Sequence, residues 1–353
     1  MKKSFLFVSL LMIAFCFIGC GKTNQREEKP QADSVKCDVV VVPVSEVVMV
    51  EESNIAKKPS VLYPGGVLPG VFSVSNNRKI QFSSGNLQYE RYEDGSWKFA
   101  ENQCYTYSFL NENPREHCDL FGWGSSGYKY TAYLHSAEDT LYGDGSKDIA
   151  GTNFDWGIYN KISGCEQDTW RTLTKDEWLY IIRKRKNATR LCGRANVSCE
   201  ELGGEYCSAS GIILLPDNWE RPEGIAFRSI EDMQYPWDNR CAGVSEYYSL
   251  PLKEPDEDED INYYSAEEWK IMESNGAVFL PETGRLRYWN YRSGPRYYYD
   301  QGGGTYWSST ADGSERAFAF EFTSTYIGYY SESRSYGYAV RLVLDYQNIA
   351  DNQ

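Results

Sequence analysis

The residues whose spacing best matches a known chemistry lie in an acidic stretch of the second half of the chain. Their side-chain oxygens fall at positions 1, 3, 5, 7 and 12 of a calcium-binding loop: Asp256, Asp258, Asp260, Asn262 and Glu267. Position 6 is Ile261, where the sharp turn favours glycine, and Pro251 and Pro255 disfavour an entering helix. We therefore interpret the stretch as a solvated acidic loop, keep calcium as the alternative, and expect no metal or other cofactor.

Candidates for catalysis are sparse. The chain has two histidines, His117 and His135, and neither lies beside a nucleophile-elbow sequence such as GxSxG. Asp155 could pair with a distant glutamate for glycoside hydrolysis, but the sequence gives neither a separation nor a pocket. No recognisable constellation emerges, so we expect that the protein is not an enzyme.

Aromatic residues are concentrated near the C-terminal end. Eleven of the 29 tyrosines lie between Tyr288 and Tyr338, interleaved with Ser, Gly and Arg. Such mixtures are typical of binding surfaces, because tyrosine offers a large amphipathic contact at a low entropic cost. We assign Trp307, Phe318, Phe320, Phe322 and Val340 to the core. We expect the loop residues to form a ligand face: Trp289, Tyr291, Arg292, Tyr297, Tyr298, Tyr326, Tyr329, Tyr330 and Arg334.

The N-terminus predicts export. Lys2 and Lys3 precede an apolar stretch, Phe5 to Ile18, which has the length of a signal peptide and is too short to span a bilayer comfortably. The stretch ends in Phe17-Ile18-Gly19-Cys20, which looks like a bacterial lipobox. We therefore expect cleavage after residue 19 and a lipid on the Cys20 thiol, whose acyl chains give stable attachment to a membrane.

Charge and cysteine content limit the partners. The formal net charge is −14, and no run of Lys or Arg is present, which argues against nucleic acid as a partner. Eight cysteines follow Cys20, and an exported chain permits disulfides among them, with a connectivity that spacing does not give. No CxxC pair occurs, so a zinc site is not expected.

The chain divides into three parts. After the signal peptide of residues 1–19, residues 20–65 form a linker with a polar spacer (21–36) and a Val-rich arm (39–50) in which Pro43 interrupts a β-prone run. One domain follows over residues 66–353. A hairpin is expected at its start, with strands at Phe72 to Val74 and Ile80 to Phe82.

Two helices and several strands are expected inside the domain. Thr174 with Glu177, and Ser265 with Glu268, have the spacing of capping boxes that begin helices. Strand-like runs lie at 211–215, 277–280 and 317–322. From Tyr336 to Leu344, aromatic and aliphatic residues recur at period two, which predicts a half-buried strand. This content predicts an α+β domain.

Eight ordered blocks resemble a known family. They are LPGVFSVSNNRKIQFSSGNLQY (68–89), LFGWGSSGY (120–128), DWGIYNKI (155–162), WRTLTKDEW (170–178), GIILLPDNW (211–219), NGAVFLPETG (275–284), TYWSST (305–310) and YAVRLVL (338–344). Together they resemble exported proteins of the Fibrobacter succinogenes major paralogous domain type, relatives of the formylglycine-generating-enzyme branch of C-type-lectin-like folds. The resemblance implies two helices around a small twisted antiparallel sheet with long loops. It also implies paired terminal strands and a display surface on the loops before the last strand.

The chain departs from those relatives at their functional residues. Formylglycine-generating enzymes carry a late pair of reactive cysteines, and here no cysteine follows Cys241. Calcium-dependent lectins carry a Glu-Pro-Asn or Gln-Pro-Asp loop. Glu254-Pro255-Asp256 matches neither sequence in full. We therefore expect a lipid-anchored binding or adhesion protein at the outer membrane or in the periplasm, with a protein or glycan ligand.

Two alternatives stay open. One is an exported enzyme or enzyme accessory that acts on polysaccharide. The other is a structural subunit of a surface assembly, in which residues 39–50 are donated as a strand to a neighbour.

Overall fold

The computed structural model describes residues 64–90, 95–106, 117–129, 143–202, 205–232, 249–251, 261–288, 295–298, 303–324 and 326–346. All of them belong to one compact unit, Lys36–Gln353. The predicted signal peptide, Cys20 and the Val-rich arm lie outside the described residues. Within the described ranges, no helix is both long enough and apolar enough to cross a membrane.

Strands dominate this unit. They are β1 (Phe72–Ser73), β2 (Lys79–Phe82), β3 (Leu87–Glu90), β4 (Ser96–Phe99), β5 (His117–Cys118), β6 (Arg171–Thr172), β7 (Cys192–Leu202), β8 (Glu205–Leu214), β9 (Ser249–Pro251), β10 (Asn262–Tyr264), β11 (Val278–Pro281), β12 (Arg285–Tyr288), β13 (Pro295–Tyr298), β14 (Gly304–Asp312), β15 (Arg316–Phe322), β16 (Tyr326–Ser333) and β17 (Leu342–Asp345). The α-helices are α1 (Trp156–Tyr159), α2 (Lys175–Leu179) and α3 (Ala266–Ser274); α2 continues into a π-helical turn, Tyr180–Lys184, and a 3₁₀ turn spans Ala188–Leu191.

The predicted fold class is wrong. Two helices around one small sheet were expected, whereas the described residues form three sheets of four strands, one sheet of three strands and one two-stranded ribbon. Strand accounts for 38% of the structure and helix for 14%, so the fold is rich in β-structure. The prediction relied on the two strongly capped helices and underestimated the number of short strands. Several of these strands have partners distant in sequence, as β6 and β17 do.

The sheet that joins the two ends of the domain has the order β1-β2-β17-β6. The predicted hairpin is confirmed: β1 and β2 pair antiparallel, with Phe72 opposite Ile80. Ser75 closes its turn, because the hydroxyl accepts a hydrogen bond from the Arg78 amide. Val343 of β17 pairs with Phe82 of β2, so the last strand of the domain completes a sheet that the first strands begin.

Both predicted capping boxes are confirmed. The Thr174 hydroxyl accepts from the Glu177 amide, the Glu177 carboxylate accepts from the Thr174 amide, and helix α2 begins at the next residue. Ser265 and Glu268 form the same reciprocal pair at the start of α3. Each pair satisfies two amides that a helix start leaves without partners.

The predicted long strand at the C-terminal end is shorter than its period suggests. Only Leu342–Asp345 pairs as a strand, and Tyr338 and Ala339 make isolated bridges to Phe121 and Tyr306. Residues 338–343 are all buried, on both sides of the chain. The segment therefore runs through the interior, and the half-buried interpretation is wrong because packed residues cover its second face as well.

The core lies on both faces of the sheet β14-β15-β16-β9. One cluster contains Tyr306 and Phe320, and there the indole of Trp178 from α2 stacks on the Phe320 ring at 4.7 Å between centroids. A second cluster contains Trp307 and Ala319 on the opposite face. The five residues assigned to the core from the sequence are all buried, which confirms that assignment. This double packing fixes the strands that carry the candidate site.

Candidate ligand-binding site

Strand β16 carries three of the tyrosines that the sequence singles out. It lies between β15 and the short β9, which pairs with Tyr326 to Gly328. Side chains on a strand alternate between faces, so Tyr326, Gly328, Tyr330 and Glu332 share one face and Tyr329 lies on the other. Burial agrees with this alternation, since Tyr326, Tyr330 and Glu332 are partly exposed whereas Tyr329 is buried.

The rings of Tyr326 and Tyr330 lie close together. Their centroids are 5.2 Å apart and their planes are inclined by 57°. Residues four apart on a strand have Cα atoms about 13 Å apart, so the two side chains must lean toward each other. They can do so because Gly328, between them on the same face, has no side chain. The pair therefore presents two partly exposed aromatic faces held by one strand.

A carboxylate stands beside this pair. The register of β15 and β16 places Glu321 directly opposite Gly328, so its side chain lies on the same face of the sheet as the two tyrosines. Burial raises the pKa of the Tyr326 phenol, and the charge of Glu321 and a hydrogen bond to it raise that pKa further. The phenol thus stays protonated and donates to the carboxylate.

A second carboxylate acts on the same phenol. Glu332, two residues after Tyr330 on the same face, also contributes to the raised pKa of Tyr326. In the ranges that the structure describes, Glu332 forms no salt bridge. Cross-strand from Tyr330 and Glu332 lie the small residues Ala319 and Ala317. We name the group formed by Glu321, Tyr326, Tyr330 and Glu332 the tyrosine patch.

Tyr329 is not part of this surface. It is buried on the opposite face with Leu179 of α2 and Phe318 of β15, and its ring meets the Phe318 ring edge-on at 5.7 Å. The Lys175 ammonium lies 4.1 Å from the Phe318 centroid and 5.3 Å from that of Tyr329. The expectation that Tyr329 is an exposed loop residue is therefore wrong, because the period of two in β16 turns it inward.

Arg334 is also interior. Its side chain is fully buried, and it donates to the main-chain carbonyls of Gly145, Gly313 and Arg316 at 2.6, 2.6 and 3.0 Å. These bonds tie two turns to the end of β16. A guanidinium whose donors are satisfied by the fold holds those turns in place, so its prediction as a ligand contact is not supported by where it lies.

The remaining predicted ligand residues fall in or near strands β12 and β13. Tyr297 and Tyr298 belong to β13, where they lie opposite Leu286 and Arg285. They are therefore strand residues, although a loop was expected. Trp289, Tyr291 and Arg292 lie outside the described residues.

The calcium candidates are described only in part. Asp256, Asp258 and Asp260 lie outside the described residues. The Asn262 side-chain oxygen accepts from the Arg228 amide, and its nitrogen donates to the carbonyls of Arg194 and Arg228. Glu267 is exposed in the first turn of α3. Over the described ranges, no group of three or more His, Cys, Asp or Glu could hold a metal ion.

Asp155 has a structural environment. It is fully buried at the start of α1, where one oxygen accepts from the amide of Gly157. Both oxygens accept from the Thr172 amide, and the Thr172 hydroxyl adds a 2.8 Å bond. Burial raises the pKa of this carboxyl from 3.8 to about 6, although the hydrogen bonds lower it. The carboxylate joins α1 to β6. His117 lies in β5, and His135 falls outside the described residues.

Sequence reasoning missed the two glutamates of the tyrosine patch. Glu321 lies inside a run that was identified as a strand, and its position is set by pairing with β16. A local signal did exist, since Tyr326, Gly328 and Tyr330 form a Tyr-x-Gly-x-Tyr pattern in which glycine leaves room for both rings. That pattern becomes informative only once the segment is known to be a strand.

Comparison with known proteins gives one match. Residues 248–343 match a family described as a domain of unknown function, DUF8237. The matched range begins just before β9 and reaches into β17, so it contains the whole tyrosine patch. No curated protein and no solved structure matches the chain.

Proposed function

We propose that this protein is a lipid-anchored, non-enzymatic binding protein of the bacterial cell envelope, and that the tyrosine patch contacts its ligand. The observation that carries the proposal is the pair of Tyr326 and Tyr330, whose partly exposed rings lean together over Gly328. A ring pair held by a packed strand loses little conformational freedom on binding, and tyrosine is enriched where binding energy is concentrated.

The surroundings of the pair suit recognition. Glu321 and Glu332 supply acceptor oxygens beside the rings, and the phenols can donate or accept. Interfaces usually combine aromatic contact with a small number of oriented polar groups. The sheet beneath is packed on both faces, which holds these groups in fixed relative positions.

Membrane attachment is proposed through Cys20. The short apolar stretch that precedes it and the Phe-Ile-Gly-Cys sequence support a cleaved signal with lipid on the new N-terminal cysteine. The anchor would hold the domain at the outer membrane, on the periplasmic side or at the cell surface, by the polar spacer of residues 21–36.

A glycan and protein array probed with the full chain in detergent tests the binding role. A ligand found on the array is then titrated against a variant with Tyr326→Leu and Tyr330→Leu. Leucine keeps the apolar cover over Gly328 but removes the ring faces and the hydroxyls. Because key interface aromatics are commonly worth about 2 kcal/mol or more, we expect binding to weaken on the order of thirtyfold.

The control is Tyr263→Ala, which removes an exposed tyrosine of β10, in a different sheet. It should leave the affinity unchanged. Unchanged affinity in the folded double leucine variant would mean that the tyrosine patch is not the binding face.

A further inference from the structure

We infer that the tyrosine patch binds an arginine side chain presented by a basic segment of a partner protein. The inference rests on the proposed binding role of this patch and names the chemistry of its ligand. Three features carry it: two adjoining aromatic faces, two carboxylates that converge on them, and the acidic character of the whole chain.

The aromatic faces attract cations. The face of a tyrosine ring carries negative electrostatic potential, and a cation within about 6 Å of the centroid is stabilised by it. The centroids of Tyr326 and Tyr330 are 5.2 Å apart with planes inclined by 57°, so one planar cation lying against either ring is near the other as well. Both rings are partly exposed and therefore accessible from solvent.

The carboxylates add charge at the same place. Glu321, on the neighbouring strand β15, accepts a hydrogen bond from the Tyr326 phenol, and Glu332, on the same strand as the two tyrosines, also acts on that phenol by its charge. Two negative charges beside two aromatic faces attract a positive ligand and repel phosphate, sulfate and carboxylate ligands. A neutral sugar could donate hydroxyl hydrogen bonds to the carboxylates but would gain nothing from their net charge.

Guanidinium fits this arrangement better than ammonium. Its plane can stack on a tyrosine ring while the N–H groups at its edge donate to a carboxylate, often with two parallel bonds. Ammonium is a more strongly hydrated point charge and lacks the flat face. The patch has a ring and a carboxylate side by side, so the ring can contact the flat face of a guanidinium while the carboxylate accepts from the N–H groups at its edge.

Charge complementarity favours a basic protein segment as the source. The chain carries a formal net charge of −14 with 50 acidic and 36 basic residues. A partner segment with several positive charges is steered by this field, whereas a small monovalent cation gains little from it. An arginine held in such a segment can occupy the rings while its neighbours meet the surrounding negative potential.

Fluorescence anisotropy with short labelled peptides tests the inference on the full chain in detergent. The probe is a peptide with two arginines separated by glycine and serine, compared with the same peptide carrying lysine, glutamine or glutamate in their place. We expect the arginine peptide to bind most tightly and the glutamate peptide not to bind. The affinity of the arginine peptide should fall at least severalfold between 50 and 300 mM NaCl, because salt screens the charges.

Variants locate the contact. Tyr330→Leu and Glu332→Gln should each lower the affinity for the arginine peptide by roughly fivefold or more, in line with the size of cation–π and charge-assisted contacts. Glu223→Gln is the matched control, because it removes an equal charge from an exposed position outside the patch and should leave binding unchanged. Each variant is accepted only if its thermal unfolding matches that of the parent.

Other outcomes overturn the inference. If the arginine peptide fails to bind while a neutral glycan binds and is weakened by Tyr326→Leu and Tyr330→Leu, the binding role stands and the cationic ligand is wrong. Equal affinity for lysine, arginine and glutamine peptides excludes guanidinium recognition. Equal affinity for tetramethylammonium and the arginine peptide makes a small cation the ligand in place of a protein. If no arrayed ligand or peptide responds to the tyrosine variants, the binding role of the patch fails as well.

Discussion

The guanidinium of Arg334 lies 4.2 Å from the centroid of the Trp123 indole ring, and both side chains are fully buried. The Trp123 indole nitrogen in turn donates to the Ser308 carbonyl at 2.7 Å. The stacked pair therefore connects the loop at 122–127 to β14, and through the hydrogen bonds of Arg334 it also connects the turns at Gly145 and Gly313.

Replacement of Arg334 by lysine should destabilise the fold. Lysine keeps the charge but cannot stack on Trp123 and donate to three carbonyls in fixed directions. Because the fully buried guanidinium makes three hydrogen bonds and a ring contact that lysine cannot all replace, we expect the free energy of unfolding to fall by about 3 kcal/mol, measured by chemical denaturation. Arg190→Lys, at an exposed ion pair with Glu231, is the control and should change stability far less. Equal effects of the two variants would contradict the structural role of Arg334.

Tyr329 and Tyr330 should respond oppositely to truncation, although they are neighbours in sequence. Tyr329→Ala empties a buried site against Phe318 and Leu179, so we expect a loss of about 3 kcal/mol in the free energy of unfolding. Tyr330→Ala removes a partly exposed ring and should cost clearly less, while weakening ligand binding. Thermal and denaturant unfolding of both variants provide the measurement. A larger stability loss at Tyr330 would show that the two faces of β16 are assigned the wrong way round.

Asp155 should make the free energy of unfolding depend on pH between about pH 4 and pH 6. Because burial raises the pKa of its carboxyl from 3.8 to about 6, the folded chain keeps this proton between pH 4 and pH 6, where the unfolded chain has lost it. The stabilisation is thus fully present below pH 4 and is lost as the pH rises to 6, by roughly 3 kcal/mol at about 1.4 kcal/mol per pH unit.

Subtracting the free energy of unfolding of the Asp155→Asn variant from that of the parent at each pH separates this effect from those of other carboxyls. One of them is Asp345. Partial burial raises the pKa of its carboxyl, but hydrogen bonds and charge from Arg171 lower that pKa by more, so Asp345 acts on stability with the opposite sign. Urea denaturation of parent and variant at pH 4, 5, 6 and 7 gives the difference. A difference that stays constant over this range would mean that ionisation of Asp155 is not penalised in the folded state.

If Cys20 carries the lipid, its replacement should release the protein from the membrane. Cys20→Ser removes the thiol that would carry diacylglycerol, so the protein should leave the detergent phase of a phase-separation experiment and migrate without lipid label. Cys16→Ser, four residues earlier in the apolar stretch, is the matched control and should stay with the membrane. Detergent partitioning of the Cys20 variant equal to that of the parent would rule out this anchor.

Local sequence patterns determined several elements of this protein. The capping boxes at Thr174 and Ser265 fix where α2 and α3 begin, because the bonds that satisfy the first amides come from residues three positions apart. The hairpin of β1 and β2 is equally local, and so is the apolar character of Trp307, Phe320 and Val340 that places them in the core. The net charge of −14 is a property of composition alone.

The tertiary structure decided which tyrosines face solvent and what surrounds them. Tyr329 and Tyr330 are chemically identical in the sequence, and only the packing of β16 against α2 turns the first one inward. Glu321 meets Tyr326 because the strands pair in one register, and a shift of one residue would place the carboxylate on the opposite face. Layer packing depends on contacts between residues far apart in the chain, such as Tyr329 with Leu179, and a local pattern contains no record of those contacts.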